Sequence, residues 1–558
     1  MRKLSAEVVV IGGGATGVGV ARDAAMRGYS TILVERADLA QGTTGRFHGL
    51  LHSGGRYVVS DPESATECAE ENAIVSRIHA DAVERTGGLF VCAPGDDPGF
   101  ADKFLAGASA QKVPAQEITL SEALRREPRL NPGITRAIEV QDGTVDGWRM
   151  VWGAAESAKA HGATVLTYHD VTAIQVEDGH TQAVFCHNRK TGEDVTIDCG
   201  FVVNAAGPWA GHVAAMAGCH DVEVVPGRGI MVAMNHRLVN TVINRCIYPS
   251  DGDILVPVHT VCIIGTTDHP ADDPDHLEIP ADEVQQMLSA GEVLIPGFRQ
   301  SRAVHAWAGA RPLVKDHRVS ASDTRHMSRG MAILDHDARD GVKGMVTIAG
   351  GKLTTYRLMA KNTVDLVSEQ LGDNRPCTTD QEPVPTATSG INYTITHRLA
   401  DREAERPTGP LGQQTPNDLG HQVVCECELV SRGMLVDTIA AHPDAQFDDW
   451  RRLLRIGMGP CQGGFCALRT TGIAVERKAM DAAAATALMR LFIAHRWIGL
   501  WPILFGAQVR QTVLDSWIFS GLLDLDSVPV PAVPPAFTPP GEAAAAKTAT
   551  ATDKEVAR

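Results

Sequence analysis

Gly12-Gly13-Gly14-Ala15-Thr16-Gly17 lies between an apolar strand signal at residues 7–11 and a helical signal at 16–27. A second strand signal at 31–35 ends on Glu35. Strand, Gly-x-Gly-x-x-Gly, helix, strand and terminal acid together restrict the start of the chain to a βαβ nucleotide-binding unit. Gly12, Gly14 and Gly17 permit a tight turn and let the backbone approach a pyrophosphate. The helix N-terminus adds free N–H groups and a partial positive charge. The Glu35 carboxylate suits ribose hydroxyls and repels a 2′-phosphate. The motif alone does not choose between NAD and FAD.

The rest of the chain alternates in type. Helical signals cover 63–84 and 148–161, and a strand signal runs over 162–176. Residues 201–206 form an apolar strand ending in small residues. Segments 222–234 and 253–265 alternate without intervening helices, which predicts antiparallel strands. A strand at 345–351 runs into a glycine pair, and a helix is expected at 356–371. Thr- and Pro-rich sequence then reads as a linker up to residue 420, before a compact cysteine-containing stretch. Helical sequence occupies 480–523, and a proline-rich tail from 529 is expected to be disordered.

Charge excludes one class of partner. Lys and Arg number 51 against 67 Asp and Glu, for a net charge of −16, so no nucleic-acid footprint is expected. An anionic ligand would need a local cluster of cations. No signal peptide and no apolar run long enough for a membrane span is evident, which predicts a cytoplasmic chain, at most peripheral on the membrane. Its 12 cysteines are then expected to be reduced or metal-bound.

Four further segments decide the cofactor. Gln41 to Arg46 and His48 to Tyr57 continue from the second strand. Asn204-Ala205-Ala206-Gly207-Pro208-Trp209 and Gly350-Gly351-Lys352-Leu353-Thr354-Thr355 end later strands. These resemble the FAD-contacting segments of the D-amino-acid and glycine oxidase superfamily. With Gly309-Ala310-Arg311-Pro312-Leu313, they resemble more closely the FAD-dependent glycerol-3-phosphate dehydrogenases. Ser328-Arg329-Gly330, Leu334-Asp335-His336 and the cysteine stretch narrow the likeness to the large subunits of the anaerobic members.

The resemblance implies an α/β fold: a Rossmann-like FAD-binding domain, an antiparallel-sheet substrate domain, and a small C-terminal Cys-rich domain with helices. The oxidoreductase would span 1–372, its FAD-binding segments about 1–85, 145–215 and 325–372, its substrate segments about 86–144 and 216–324. A linker at 373–420, a 2Fe–2S domain at 421–475, helices at 476–528 and a tail at 529–558 would follow. The implied activity is oxidation of sn-glycerol 3-phosphate to dihydroxyacetone phosphate, with electrons passed to quinone. Two rival readings are an oxidase using oxygen and an electron-transfer subunit without its own substrate.

Site residues follow from these matches. Gly12, Gly14, Gly17, Glu35, Thr43, Thr44, His48, Ala206, Gly207, Gly351, Lys352, Leu353 and Thr354 are expected at the FAD. Arg56, Tyr57, Arg311 and Arg329 are expected on the substrate, because planar guanidinium groups grip phosphate bidentately. Lys352 suits the neighbourhood of a reduced, anionic flavin. Arg311 has a second role open to it, at the developing alkoxide or ketone oxygen. A base must take the 2-hydroxyl proton, and an imidazole has a suitable pKa. His52 and His336 are equal candidates.

Cys425-x-Cys427 and Cys461-x4-Cys466 pair four thiols at metal-ligand spacing. The stretch resembles the 2Fe–2S domain of the bacterioferritin-associated ferredoxin family, with zinc as the alternative. The other eight cysteines are read as ordinary buried thiols. Trp497, Trp501 and Trp517 suit packing over the cysteine stretch, or a docking face for another subunit or a membrane. The resemblance also implies companion subunits, one flavin-associated and one an iron–sulfur membrane anchor.

Overall fold

The computed structural model describes residues 2–315, 330–388, 422–443 and 445–525. Arg329, most of the expected linker and the proline-rich tail lie outside the described residues.

The chain opens on the strand Arg2–Ile11, whose last residues are buried and apolar. It pairs in parallel with Thr31–Val34 on one side and Asp194–Asn204 on the other. Thr164–Leu166 extends this parallel sheet, and Met345–Gly350 adds to it beside Asp194–Asn204. An antiparallel hairpin, His169–Glu177 with His180–Asn188, continues the sheet past Asp194–Asn204. The helix Ala15–Met26 packs between Gly147–Ala160 and Tyr356–Gln370. A Cβ on Gly19 would come 3.0 Å from the Tyr356 ring, so glycine sets that close approach.

The second sheet has nine strands. Its long pair, Glu223–Met234 against Ala303–Lys315, is antiparallel, and so is the hairpin Ile254–Val258 with Val261–Gly265. One pair in this otherwise antiparallel sheet runs the other way: Val242–Arg245 is parallel to Gly88–Cys92. The helix expected over 63–84 also stops early, as Pro62–Ile78. His79 ends it, buried with its Nε2 2.6 Å from the Tyr356 hydroxyl.

Residues 422–476 form a small unit of their own around Trp450, Leu435 and Ile456. The helix Ala482–Leu500 then returns to the second sheet. A Cβ on Gly499 would come 2.1 Å from the His305 ring, so this helix lies flush on the strand Ala303–Lys315. Core packing of all three tryptophans does not hold. Trp497 is 45%, Trp501 67% and Trp517 68% exposed, alongside Ile498, Val513 and Leu522. Of the eight other cysteines, seven are buried and Cys377 is half-buried.

Candidate functional site

One cavity of about 2230 Å³ begins at the glycine turn, passes between the two sheets and reaches the cysteine unit. At its first end Gly12 has a φ of +113°, and a Cβ there would sit 2.5 Å from the Ala205 carbonyl oxygen. The Glu35 carboxylate accepts from the Gly13 N–H at 2.6 Å and from the Ala37 N–H at 2.9 Å. Burial pushes its pKa up, and those two N–H bonds oppose the rise. Ala15 N–H donates to Thr44 Oγ1 at 3.0 Å, and Thr43 Oγ1 donates to the Ala310 carbonyl at 2.5 Å. Gly14, Ala206, Gly207, Gly351, Leu353 and Thr354 line the same space. Gly17 does not: it packs under Gly12, where a Cβ would come 1.8 Å from the Gly12 oxygen. A side-chain-free turn, a helix N-terminus and an acid beside it fit a dinucleotide.

The middle of the cavity gathers the ionisable groups. His48, His52, Arg56, Tyr57, Arg311 and Lys352 all face it. The His52 ring lies 6.1 Å from His48 and 5.3 Å from Tyr57, centroid to centroid. Lys352 Nζ sits 4.6 Å over the Tyr57 ring and donates to Ser64 Oγ at 2.7 Å. Burial, then His48, Arg56 and Lys352, hold the His52 imidazole well below its usual range. Burial and the cations Arg56 and Arg311 push His48 down to about 3. His48 Nδ1 accepts from the Leu50 N–H at 3.2 Å, which leaves the proton of the neutral ring on Nε2.

Arg56 and Arg311 carry acidic partners that sequence reasoning missed. Arg56 Nη1 donates to the buried Asp253 at 2.9 Å. Arg311 donates to Asp268 at 3.1 Å, to the Thr267 carbonyl at 3.2 Å and to Thr266 Oγ1. These acids lie in connections flanking strands of the second sheet, far from either arginine in sequence, and no local pattern marks them. Arg46 is a further cation that sequence reasoning missed. It faces the cavity, and burial lowers its pKa.

His336 does not join this group. It is fully buried beneath the first sheet, with Nδ1 2.5 Å from Asp340 and Nε2 2.8 Å from Thr347 Oγ1. Its place on a five-residue helix, His336–Asp340, beside the strand Met345–Gly350 turns it away from the cavity. Arg329 lies outside the described residues.

Past the far end, where Met458 and Gln462 line the cavity, the four cysteines come together within the cysteine unit. Cys427 contacts Cys461, Cys461 contacts Cys466, and Cys466 contacts Cys425, each pair within hydrogen-bonding reach. Hydrogen bonds from the Cys427 and Cys466 thiols, and then from the Gly463 and Gly464 N–H groups, hold the Cys461 pKa down. A Cβ on Gly459 would come 2.3 Å from the Cys427 Cβ, so the turn before Cys461 needs glycine there. Elsewhere among the described residues, Cys219, His336 and Asp340 place three ligand atoms within 4.8 Å of one another. Thiolates in a chain, met by backbone N–H groups, fit a thiolate-bound metal centre.

Comparison with known proteins agrees with this architecture. A family model described as FAD dependent oxidoreductase matches residues 7–357. One subunit of the anaerobic glycerol-3-phosphate dehydrogenase of Escherichia coli K12 is 40% identical over 535 residues, covering 94% of this chain and 97% of that protein. Its counterpart in Haloferax volcanii is also 40% identical, over 95% of this chain and 92% of that one. The FAD-complexed glycerol-3-phosphate dehydrogenase of Bacillus halodurans shares the fold at a TM-score of 0.62 and 22% identity, over 90% of this chain and 96% of that one. Glycine oxidase from Bacillus cereus covers 66% of the chain and 96% of its own length, with a TM-score of 0.53 at 20% identity. The chain belongs to the FAD-dependent oxidoreductases and, within them, to the family of these anaerobic glycerol-3-phosphate dehydrogenase subunits.

Proposed function

We propose that the chain oxidises sn-glycerol 3-phosphate to dihydroxyacetone phosphate, and that Arg56, Tyr57, Arg311, Lys352 and His52 form its substrate site. The observation that carries this reading is the meeting of three cations and a neutral imidazole in the cavity that starts at the nucleotide turn. In a chain of net charge −16, cations gathered in one buried space suit a phosphate dianion. Asp253 and Asp268 fix the orientation of the two guanidinium groups in the cavity. Bound FAD supplies the hydride acceptor. His52, held neutral by burial and its cationic neighbours, takes the 2-hydroxyl proton, and an arriving dianion favours the imidazolium that results. Lys352 and Arg311 stabilise negative charge developing on oxygen.

Cys425, Cys427, Cys461 and Cys466 hold a 2Fe–2S cluster in this reading, a centre that moves single electrons away from a two-electron flavin. The Cys-x-Cys and Cys-x4-Cys spacing and the Gly463 and Gly464 N–H groups at Cys461 support it. Electrons then leave through companion subunits toward quinone. Trp497, Trp501 and Trp517 supply an aromatic face for such a partner. No helix among the described residues is long and apolar enough to cross a membrane.

Anaerobic absorption spectra test the reading. Glycerol 3-phosphate should bleach the flavin bands of the pure protein, and metal analysis should give two irons per chain. A flavin that stays oxidised with this substrate overturns the substrate assignment. Stoichiometric zinc without iron overturns the cluster.

A further inference from the structure

The loop that follows Glu35 is held from the other end of the chain. Its backbone is stitched to the glycine turn, since Ala40 N–H donates to the Gly13 carbonyl at 2.9 Å. Ala40 itself has a φ of +58°, a left-handed conformation that a residue with a Cβ adopts only when its surroundings impose it. Arg452, on the helix Phe447–Leu454 of the cysteine unit, reaches across to this loop. It donates to Asp38 Oδ2 at 3.0 Å. With the Gln41 amide turned so that its oxygen faces the guanidinium, Gln41 accepts from Arg452 Nη1 and Nη2 at 2.7 and 2.8 Å. One planar side chain thus grips both ends of residues 38–41.

Asp449 steadies the grip. It pairs with Arg452, and its carboxylate accepts from the Tyr168 hydroxyl at 2.9 Å. It also caps its own helix by accepting from the Gln446 N–H at 2.9 Å. Tyr168 N–H donates to the Ala37 carbonyl, and His169 N–H to the Glu35 carbonyl. Both of these attachments therefore end on residues 35–41, the wall that joins the ribose acid to Thr43 and Thr44. All of these side chains border the same cavity.

We propose that Arg452 is a positioning residue for the flavin: from the cysteine unit it clasps the loop of residues 38–41 against the glycine turn, so that FAD leaves only when this clasp opens. The clasp rests on the FAD assignment but adds to it a role for the cysteine unit apart from electron transfer. A guanidinium bridging a carboxylate and an amide is removed by Arg452→Gln, and Asp38→Asn breaks the same contact from the opposite side.

The experiment measures flavin release from full-length holoenzyme as the rise of free-flavin fluorescence after dilution into flavin-free buffer. Release should quicken at least about tenfold in both variants, as loss of one partner of a buried charge pair raises dissociation rates. Arg452→Lys should recover part of the difference, because it keeps the charge but not the fork. Iron content and the rate of anaerobic flavin reduction in the loaded fraction should match wild type. Release rates equal to wild type in both Arg452→Gln and Asp38→Asn overturn the clasp. A wild-type protein that releases no FAD even on denaturation overturns instead the cofactor assignment beneath it.

Discussion

Arg311 is oriented before any substrate arrives: Asp268, the Thr266 hydroxyl and the Thr267 carbonyl all accept from its guanidinium. Arg311→Ala should keep the flavin and lose turnover of glycerol 3-phosphate. A cation removed from a hydrogen-bonded phosphate contact costs about 2–5 kcal/mol, or roughly 30-fold to several-thousand-fold in kcat/KM. Steady-state kinetics of flavin-loaded protein checks this, and an unchanged kcat/KM removes Arg311 from the site. The two histidines are separated by the same kind of measurement. His52→Asn should slow anaerobic flavin reduction by about 10²–10⁴, the usual contribution of a positioned base. His336→Asn should leave that rate near wild type while lowering the thermal midpoint, since His336 bridges Asp340 and Thr347 out of reach of the cavity. Equal rate losses in the two variants would contradict this division.

Local elements were legible where local chemistry sets them. The strand Arg2–Ile11, the helix Ala15–Met26 and the turn between them follow from apolar periodicity and glycine spacing within about 30 residues. The groups left unread are fixed by contacts distant in sequence. Asp253 and Asp268 become arginine partners only once the second sheet has formed. His336 could not be told from His52 because both lie in matching segments, and only packing beneath the first sheet takes one of them away. The tryptophans followed an apolar helical pattern that packing would ordinarily bury, yet the helices turn them outward. The Gly459 turn is an element whose sequence did carry its reason: a Cβ there would lie 2.3 Å from the Cys427 Cβ and 3.3 Å from its sulfur. Gly459→Ala should therefore lose most of its bound metal while retaining flavin, read by metal analysis and flavin absorbance on one sample. Full metal content in that variant would show that the turn has room to spare.

Across the whole molecule, acid stability is a balance between buried groups pushed in opposite directions. His48, His52, His79 and His305 are all held below their usual range, first by burial. Asp142, Glu71 and Glu127 are held above theirs, again first by burial. A histidine whose folded pKa is depressed binds fewer protons folded than unfolded at any pH between its two values. Its contribution to stability is complete above an unfolded pKa near 6.5 and is lost as pH falls below it. The raised carboxyl groups act with the opposite sign above about pH 4, so the total curve does not report on any one residue. A difference between two proteins does. His79 is buried outside the cavity, beside Arg22 and Arg149, whose charges also disfavour its protonation. His79→Gln keeps a group able to meet the Tyr356 hydroxyl and removes the titration. Between pH 7.5 and 5.5 wild type should lose about 1.3 kcal/mol more stability than the variant, the full linkage for one histidine that stays neutral when folded. Denaturation midpoints of both proteins at the two pH values measure the difference. Parallel pH dependences would mean that His79 takes up its proton in the folded state, and the buried pairing with Tyr356 would then have to accommodate an imidazolium.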